Sequence, residues 1–379
     1  MNIIADKSIP YIGHFFNSIG NLTLLDSKEI SQSALKNTDI LVVRTVTQVN
    51  QELLEGTPIK YVATATSGYD HIDIDYLNTK DIGFAHAPGC NARSVAEFVL
   101  SSLFVVSELK GFELINKSVA IIGCGNVGSI VSSFINGLGL DCHRYDPPRQ
   151  KNEDKVNFST LNDIKMADII TIHVPLVSHG PYKTSNLINA DFLSGLKPNV
   201  VLINTSRGDV IDEKSLCHFI DSNSGCSIVL DVWKNEPDIN IELLHKVSIA
   251  TPHIAGYSLD GKFKGTYEIY KKVCDYFKIK YTKSELICLP EYENNHIQLG
   301  EYDNEIDAIK MATLASYDVR TDSAALSNLQ NVDDHNKAGY FSGLRNNYSI
   351  RREFSSMTVS LPERNNSLQR KIEIFGFNV

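Results

Sequence analysis

The sequence lacks the features that mark several classes of protein. Its 7 cysteines include no CxxC pair and are odd in number, which argues against a zinc ribbon and a closed set of disulfides. The opening stretch, MNIIADKSIP, has neither the basic flank nor the long apolar run of a secretory signal, and the most apolar segment, 98–106, is too short to span a bilayer. We therefore expect a cytoplasmic protein with reduced, buried thiols, no metal site and no membrane partner.

A surplus of cationic side chains is also missing. The formal net charge is −9 at pH 7, whereas nucleic acids and acidic membranes attract proteins that are rich in Lys and Arg. We therefore expect no nucleic-acid partner, and any anionic ligand must meet a local cluster of cations. With 379 residues the chain exceeds one ordinary core, so two or three domains are expected.

The sequence does contain two series of short β-branched runs that alternate with stretches of helical length. The first series comprises NIIAD at 2, ILVVRT at 40, KYVATAT at 60 and GFAHA at 83. The second comprises SVAIIG at 118, LDCHRYD at 140, DIITIHV at 168, NVVLINT at 199, SIVLD at 227 and VSIATP at 247. Such runs are typical of parallel strands buried on both faces, so the predicted fold class is α/β with two doubly wound parallel sheets.

Two long helical stretches predict how the chain passes between these domains. Residues 91–111 would lead from the first sheet to the second, and a helix at about 262–280 would lead back. The second domain, 93–257, would then be inserted in the first, 1–92 and 258–284. Residues 285–379 show no clear βα rhythm and predict a small third domain, in which YDVRTD and KIEIFGF are interpreted as short strands.

A glycine-rich motif is the best-specified site. In VAIIGCGNVG, Gly123, Gly125 and Gly128 follow an apolar strand and precede a helical run, which is the context that a dinucleotide fingerprint requires. The helix N-terminus would face a pyrophosphate, and Asp146 at the end of the next strand would accept hydrogen bonds from the adenosine ribose. The alternative is a structural turn with a surface aspartate. We expect a dinucleotide, with NAD favoured over NADP because a carboxylate repels a 2′-phosphate.

Side chains of different chemistry follow three later strands. Arg207 stands in NTSRGDVID, Asp231 and Glu236 in DVWKNEP, and His253 in TPHIAGY. Ligands of doubly wound sheets bind beyond the carboxyl ends of the strands, so these side chains should converge where the nicotinamide would lie. Each also has an ordinary alternative, namely a surface ion pair, a turn or a helix cap, and Asp231 could either bind the cofactor or merely end its strand.

This combination suits the oxidation of a 2-hydroxy acid. A substrate carboxylate needs a bidentate, permanently charged donor, which Arg207 supplies. A base near neutrality must take the hydroxyl proton as hydride departs, and His253 is the candidate. Glu236 would orient the imidazole and favour its protonated form.

Several segments together resemble the D-2-hydroxyacid dehydrogenase family. They are SGYDHIDID, APGCNARSVAEF, IIGCGNVG, HVPL, NTSRGDVID, DVWKNEP and TPHIAGY, spread over about 40–257. The resemblance implies a Rossmann domain for NAD inserted in a flavodoxin-like substrate domain, with Arg207, Glu236 and His253 as the catalytic set. The cofactor contacts that it implies are Gly123, Gly125, Asn126, Val127, Gly128, Asp146, Val174, Thr205, Ser206, Asp231 and Gly256.

Further segments are similar to the branch of that family that oxidises 4-phospho-D-erythronate to (R)-3-hydroxy-2-oxo-4-phosphooxybutanoate in vitamin B6 synthesis. They include VVRTVTQVN, TATSGYDHID, DPPR, HGPYKT, YDVR and LRNNY…RREFSS. This resemblance implies an α+β C-terminal domain that forms a homodimer, and substrate contacts from Thr45, Thr66 and Tyr257. Arg44 is the first candidate for binding the substrate phosphate, and Arg345 reaching across a dimer is the second.

Two alternative functions remain open at this stage. A phosphoglycerate dehydrogenase would use the same catalytic set and differ in its tail and substrate pocket. An NAD-sensing transcriptional corepressor of the same family would bind the cofactor with slow or incidental turnover. The complete Arg, Glu and His set favours an enzyme.

Overall fold

The structure is a computed structural model that describes residues 1–153, 157–281, 289, 295–363 and 365–379. The chain forms two compact units, Met1–Asn91 with Tyr257–Glu291, and Ala92–Gly256 with Tyr292–Val379. The predicted boundary at 285 lies outside the described residues. The C-terminal segment groups with the second unit, and its status as a separate domain stays a prediction.

The first unit contains a parallel sheet of five strands. Numbered along the chain, its elements are β1 (Asn2–Asp6), α1 (Ile12–Phe16), β2 (Asn21–Leu25), β3 (Ile40–Val43), α2 (Gln51–Leu54), β4 (Tyr61–Thr64), α3 (Ile74–Thr79), β5 (Gly83–His86) and α11 (Leu259–Tyr276). The strand order β2-β1-β3-β4-β5 is that of flavodoxin-like sheets. Both faces are buried: Ile3 and Ala5 pack on the side of α1 and α11, and Ile4 packs on the other.

The second unit contains a parallel sheet of six strands. Its elements up to residue 250 are α4 (Ala92–Lys110), β6 (Ser118–Ile122), α5 (Asn126–Gly137), β7 (Asp141–Tyr145), α6 (Pro147–Asn152), α7 (Leu161–Lys165), β8 (Ile169–Ile172), α8 (Ala190–Ser194), β9 (Val201–Asn204), α9 (Glu213–Ser222), β10 (Ser227–Leu230), α10 (Ile241–Lys246) and β11 (Ile249–Ala250). The order β11-β10-β9-β8-β6-β7 repeats that of the first sheet with one strand added. The predicted α/β class with two doubly wound sheets is therefore confirmed.

The ten strands predicted from apolar runs are present, and β2 was missed. Six of the ten strands are buried along their whole length, namely β3, β4, β8, β9, β10 and β11, as in ILVV of β3 and VLIN of β9. By contrast, NLTLL of β2 lies at the sheet edge, pairs with β1 alone and is largely exposed. A half-exposed edge strand needs no continuous apolar run, so the pattern gave no signal.

The C-terminal segment is mainly helical, and both strand interpretations made there are wrong. It contains β12 (His296–Gln298), α12 (Glu305–Ser316), α13 (Val319–Ser327), α14 (Asp334–Asn346), β13 (Thr358–Ser360) and α15 (Asn366–Ile374). YDVRTD runs into α13, whose first turn is capped by the Asp318 carboxylate. KIEI ends α15 and FGF follows it; burial of Leu368, Ile372 and Phe375 follows helical spacing, and Ile374 is exposed.

The apolar stretch 98–106 lies within α4, as predicted. Residues from Ala92 to Ser107 along this helix are mostly buried. Among the described residues, no helix combines the length and the apolar character that crossing a membrane requires.

Candidate active site

The glycine motif forms a tight turn between β6 and α5. Gly123 has a φ of +89°, and a Cβ atom there would lie 2.7 Å from the carbonyl oxygen of His173. A Cβ atom on Gly128 would lie 2.0 Å from the carbonyl oxygen of Gly123, so the helix can approach the turn only without a side chain. A Cβ atom on Gly125 would meet nothing within 4 Å. The open side of the turn is therefore at Gly125, where Asn126 and Val127 begin the helix.

Asp146 lies at the end of β7 against the same turn. Its carboxylate accepts hydrogen bonds from the backbone N–H of Cys124 at 2.8 Å and of Arg149 at 3.1 Å. The Arg149 guanidinium pairs with Glu153 at 2.8 Å and donates to the Cys124 carbonyl. An open glycine turn, a helix N-terminus and a carboxylate at the next strand end fit the pyrophosphate and adenosine ribose of a dinucleotide.

Three further predicted cofactor residues, Val174, Thr205 and Ser206, follow β8 and β9, while Asp231 follows β10 and Gly256 follows β11. Val174 packs on the turn, since its Cγ1 atom would lie 2.8 Å from a Cβ atom on Gly123. The Thr205 hydroxyl is 3.0 Å from His173 Nδ1, and the Ser206 hydroxyl donates to Asn204 at 2.7 Å. The hydroxyls of Thr205 and Ser206 thus already form hydrogen bonds with neighbouring residues at the strand ends. The contacts of these residues and of Val174 with a cofactor stay a prediction.

His173 is a residue of this edge that the sequence analysis did not assign. Its ring lies between two threonine hydroxyls, that of Thr171 at 2.9 Å from Nε2 and that of Thr205 at 3.0 Å from Nδ1. Burial lowers the pKa of His173 to about 3, so the ring is neutral at physiological pH and can link the two hydroxyls. Only the HVPL resemblance pointed to this position.

The three proposed catalytic residues follow adjacent strands of the second sheet. Arg207 follows β9, Glu236 follows β10 and His253 follows β11, and these strands are neighbours in the order of the sheet. The loop of Arg207 touches the loop of Glu236, because a Cβ atom on Gly208 would lie 2.0 Å from the Trp233 carbonyl carbon. The sequence argument from strand ends thus places all three residues on one edge of the sheet.

Glu236 and His253 form a hydrogen-bonded pair. His253 Nδ1 lies 2.8 Å from Glu236 Oε2, and the Trp233 amide donates to Glu236 Oε1 at 2.9 Å. Burial alone would raise the pKa of Glu236, but the charge and hydrogen bond of His253 and the Trp233 amide outweigh it, so the pKa is lowered. An ionised Glu236 accepts a hydrogen bond from Nδ1–H of His253, which leaves Nε2 as the ring nitrogen with a lone pair.

The C-terminal segment contributes to this pair within the same chain. Arg345, on α14, has its Nη1 atom 3.8 Å from Glu236 Oε2. The Arg345 guanidinium thus lies beside a carboxylate of its own chain, and the hypothesis that it reaches across a dimer stays a prediction. A cation at that distance favours the ionised form of Glu236.

Asp231 fixes the loop that carries His253. Its buried carboxylate accepts hydrogen bonds from the Thr251 hydroxyl at 2.6 Å and from the backbone N–H groups of Ile254 at 2.8 Å and Ala255 at 3.0 Å. Arg351 donates to the Ala255 carbonyl at 3.1 Å. Of the two roles considered for Asp231, the structure shows an internal one, and a contact with the cofactor stays a prediction.

The predicted substrate residues of the first unit lie at the carboxyl edge of its sheet. Arg44 follows β3 and its Nε atom is 2.9 Å from Asp6 Oδ2. Thr45 is exposed, and the Thr66 hydroxyl is 2.7 Å from that of Thr64. Tyr257 precedes α11, and Lys262 Nζ lies 4.3 Å from the centre of its ring. The sequence analysis did not assign Lys262.

Two parts of the chain match known protein families. Residues 95–255 match the NAD binding domain of D-isomer specific 2-hydroxyacid dehydrogenases. Residues 288–376 match a domain of unknown function, DUF3410. Among solved structures, the chain resembles the D-lactate dehydrogenase of Aquifex aeolicus in complex with NAD and lactic acid, at a TM-score of 0.62, 25% identity, and coverage of 73% of this chain and 96% of that one.

Curated relatives align along the whole chain. An erythronate-4-phosphate dehydrogenase of Hahella chejuensis is 40% identical over 379 residues, which cover 100% of this chain and 99% of the relative. That of Escherichia coli O7:K1 is 41% identical over 361 residues, 95% of this chain and 94% of the relative. With these full-length matches and the NAD binding domain, the chain belongs to the erythronate-4-phosphate dehydrogenases, within the D-isomer specific 2-hydroxyacid dehydrogenases, and it is an NAD-dependent dehydrogenase.

Proposed function

We propose that this protein oxidises 4-phospho-D-erythronate to (R)-3-hydroxy-2-oxo-4-phosphooxybutanoate with NAD, as a step of vitamin B6 synthesis in the cytoplasm. The observation that carries the proposal is the 2.8 Å contact between His253 and Glu236 on the sheet edge that also carries Arg207. Relatives of the same name, about 40% identical, support this choice of substrate.

The chemistry divides between these side chains and the cofactor. NAD bound at the glycine turn would accept the hydride from C2 of the substrate. Arg207 binds the substrate carboxylate through its planar guanidinium and so fixes the orientation of C2. His253 Nε2 accepts the hydroxyl proton, and Glu236 stabilises the imidazolium that results. In the reverse direction, the same imidazolium returns the proton.

The glycine turn supplies the main binding site for the cofactor. The backbone of Gly123, Gly125 and Gly128 would hold the pyrophosphate, with the N–H groups of Asn126 and Val127 as donors. Asp146 would accept hydrogen bonds from the adenosine ribose. The second group of cofactor contacts comprises Val174, Thr205, Ser206, Asp231 and Gly256, at the ends of the later strands.

The first unit supplies the remaining substrate contacts. Thr45 and Thr66 offer hydroxyl groups for the hydroxyls of the substrate, and Tyr257 stands four residues after His253. Arg44 offers a guanidinium for the phosphate, in keeping with its position after β3. Residues 285–379 form the contact of a homodimer, an assignment that rests on the resemblance of the tail.

Spectrophotometric detection of NADH formation tests the substrate assignment. We expect turnover with 4-phospho-D-erythronate to exceed that with 3-phosphoglycerate and D-lactate. A preference for 3-phosphoglycerate would move the assignment to another member of the family. NAD binding with no turnover of any of the three acids would instead favour the sensing module.

An Arg207→Ala variant tests the role of the carboxylate contact. Loss of a bidentate charge-assisted contact should cost several kcal/mol, or roughly a thousandfold in kcat/KM. Arg320→Ala is the matched control, since Arg320 is an arginine of the same unit that pairs with Asp318 and Glu108. Equal kcat/KM in Arg207→Ala and wild type would refute the assignment.

A further inference from the structure

The carboxyl edge of the first sheet carries an ion pair, Asp6 with Arg44, in addition to the hydroxyls of Thr45 and Thr66. In the order β2-β1-β3-β4-β5, the strand order reverses between β1 and β3. Open α/β sheets bind ligands at the crevice outside this reversal. Here Asp6 ends β1 and Arg44 follows β3, and the ion pair of 2.9 Å joins the two strand ends.

The Arg44 guanidinium is held by one of its edges only. Its Nε atom donates to Asp6, which is fully buried and whose other oxygen accepts from the Ser8 amide at 2.8 Å. Among the residues that the structure describes, the terminal Nη groups of Arg44 make no hydrogen bond or ion pair. Asp6 therefore orients the guanidinium and leaves its fork of donors for a further anion.

Lys262 brings a second cation to the same edge. It lies in the first turns of α11, which Ser258 caps by accepting from the Gly261 amide at 2.9 Å. These turns pack on the strand ends, because a Cβ atom on Gly265 would lie 2.9 Å from the Ala65 carbonyl oxygen, directly after β4. Burial, and then the charge of Arg44, lower the pKa of Lys262 to about 8, so the two cations repel each other at this edge.

Lys271, on the same helix, has an ion pair of a kind that Lys262 lacks among the described residues. Lys271 lies 4.8 Å from the ring centre of Tyr267, an arrangement like that of Lys262 and Tyr257, and it also pairs with Glu268 at 2.7 Å. No described carboxylate forms an ion pair with Lys262 within the parts of the chain that the structure covers. Half-burying a lysine without an anion is unfavourable unless a ligand supplies the charge.

We propose that Lys262 and Arg44 together bind the phosphate group of the substrate, at the point where the strand order of the first sheet reverses. The inference rests on the proposed function and adds a residue and a place for the phosphate. A phosphomonoester dianion accepts hydrogen bonds from a guanidinium fork and an ammonium at once, and its two charges offset the repulsion between these cations.

The test compares phosphorylated and unphosphorylated substrates in a Lys262→Met variant. We expect kcat/KM for 4-phospho-D-erythronate to fall about 10- to 100-fold, the effect of losing one hydrogen bond to a charged group, while kcat/KM for D-erythronate falls much less. Lys271→Met is the matched control and should behave as wild type with both acids. Equal losses with both acids in Lys262→Met, or no loss with the phosphorylated one, would overturn the proposal.

Inorganic phosphate provides a readout that does not depend on turnover. Phosphate should raise the Tm of the wild-type protein and of Lys271→Met, and should do so much less for Lys262→Met. If the wild type oxidises neither acid, the proposed function fails while this Tm difference still decides the anion site. A phosphate shift that is equal in all three proteins would refute the site whatever the substrate is.

Discussion

In the first sheet the strand order reverses between β1 and β3, and a side-chain ion pair, Arg44 with Asp6, fills that position. In the second sheet it reverses between β6 and β8, and backbone fills it: a Cβ atom on Gly123 would lie 2.7 Å from the His173 carbonyl oxygen. The same topology therefore produces two different edges. One presents backbone amides and the other presents charged side chains, and we propose that the first binds the pyrophosphate and that the second selects the substrate.

The largest expected effect is a loss of kcat/KM on changing Glu236, which pairs with His253 on the edge of the second sheet. In Glu236→Gln, the amide oxygen can still accept from Trp233 while the NH₂ group faces His253 Nδ1. The proton would then move to Nε2, the nitrogen that must accept the hydroxyl proton. We expect kcat/KM to fall roughly 10²- to 10⁴-fold, with NAD affinity little changed.

Glu213→Gln controls for that substitution. Glu213 also accepts a backbone N–H, that of Lys234 at 3.0 Å, in the same group of loops. Its variant should keep wild-type kcat/KM. A Glu236→Gln enzyme as active as Glu213→Gln would show that the His253 pair does not set the rate.

The effects of intermediate size concern two glycines of the turn between β6 and α5, of which Gly128 allows close packing and Gly125 leaves space for a ligand. Gly128→Ala places a Cβ atom 2.0 Å from the Gly123 carbonyl oxygen, so the turn must shift, which should lower the free energy of unfolding by about 1–3 kcal/mol and weaken NAD binding. Gly125→Ala meets nothing within 4 Å and should leave Tm unchanged. Its methyl group lies where the pyrophosphate should approach, so NAD affinity should still fall.

Calorimetric NAD titrations and thermal melts of both variants measure these effects. If Gly125→Ala bound NAD as tightly as wild type, the open side of the turn would not be the binding side. If Gly128→Ala melted as wild type does, the contact with Gly123 would not constrain the fold.

The smallest expected effect is a pH dependence of substrate preference. It should arise only at the edge of the first sheet that carries Arg44 and Lys262. Lys262 faces Tyr257 and the Arg44–Asp6 pair, and its pKa of about 8 in the free protein means that it loses its charge as pH rises through that value. We expect the preference for 4-phospho-D-erythronate over D-erythronate to decrease by up to roughly tenfold above pH 8. The proposed pyrophosphate contacts are backbone amides, which do not titrate, so NAD affinity should not change over this pH range. A preference that is independent of pH, or one that varies equally in Lys262→Met, would contradict this assignment.

The sequence predicted the parts of the molecule that local chemistry determines. The glycine spacing in IIGCGNVG, the ten short runs that predicted strands and the polar residues after strands each depend on a few consecutive positions. Because parallel strands place their carboxyl ends at one edge, Arg207, Glu236 and His253 could be grouped before their loops were known. The fold class followed from these patterns, and the family followed from the resemblance of several segments to known sequences.

What the sequence did not predict depends on contacts between distant segments. Lys262 looks like any lysine of an amphipathic helix, and its burial beside Tyr257 emerges only when α11 packs on the strand ends. Arg351 and Arg345 belong to an arginine-rich tail whose partners, Ala255 and Glu236, are about a hundred residues away. The helices α13 and α15 were misassigned because short alternating stretches fit a strand until their caps and neighbours are considered.

His253, the proposed base, has a φ of +58°; the two amides that follow it, those of Ile254 and Ala255, donate to Asp231, and the Ala255 carbonyl accepts from Arg351. This backbone geometry is strained for a non-glycine residue, and the bonds to Asp231 and Arg351 hold it before any ligand binds. Substrate binding therefore need not supply free energy to order His253. Truncating Asp231 would disorder this proton acceptor, although Arg207, Glu236 and His253 would all still be present.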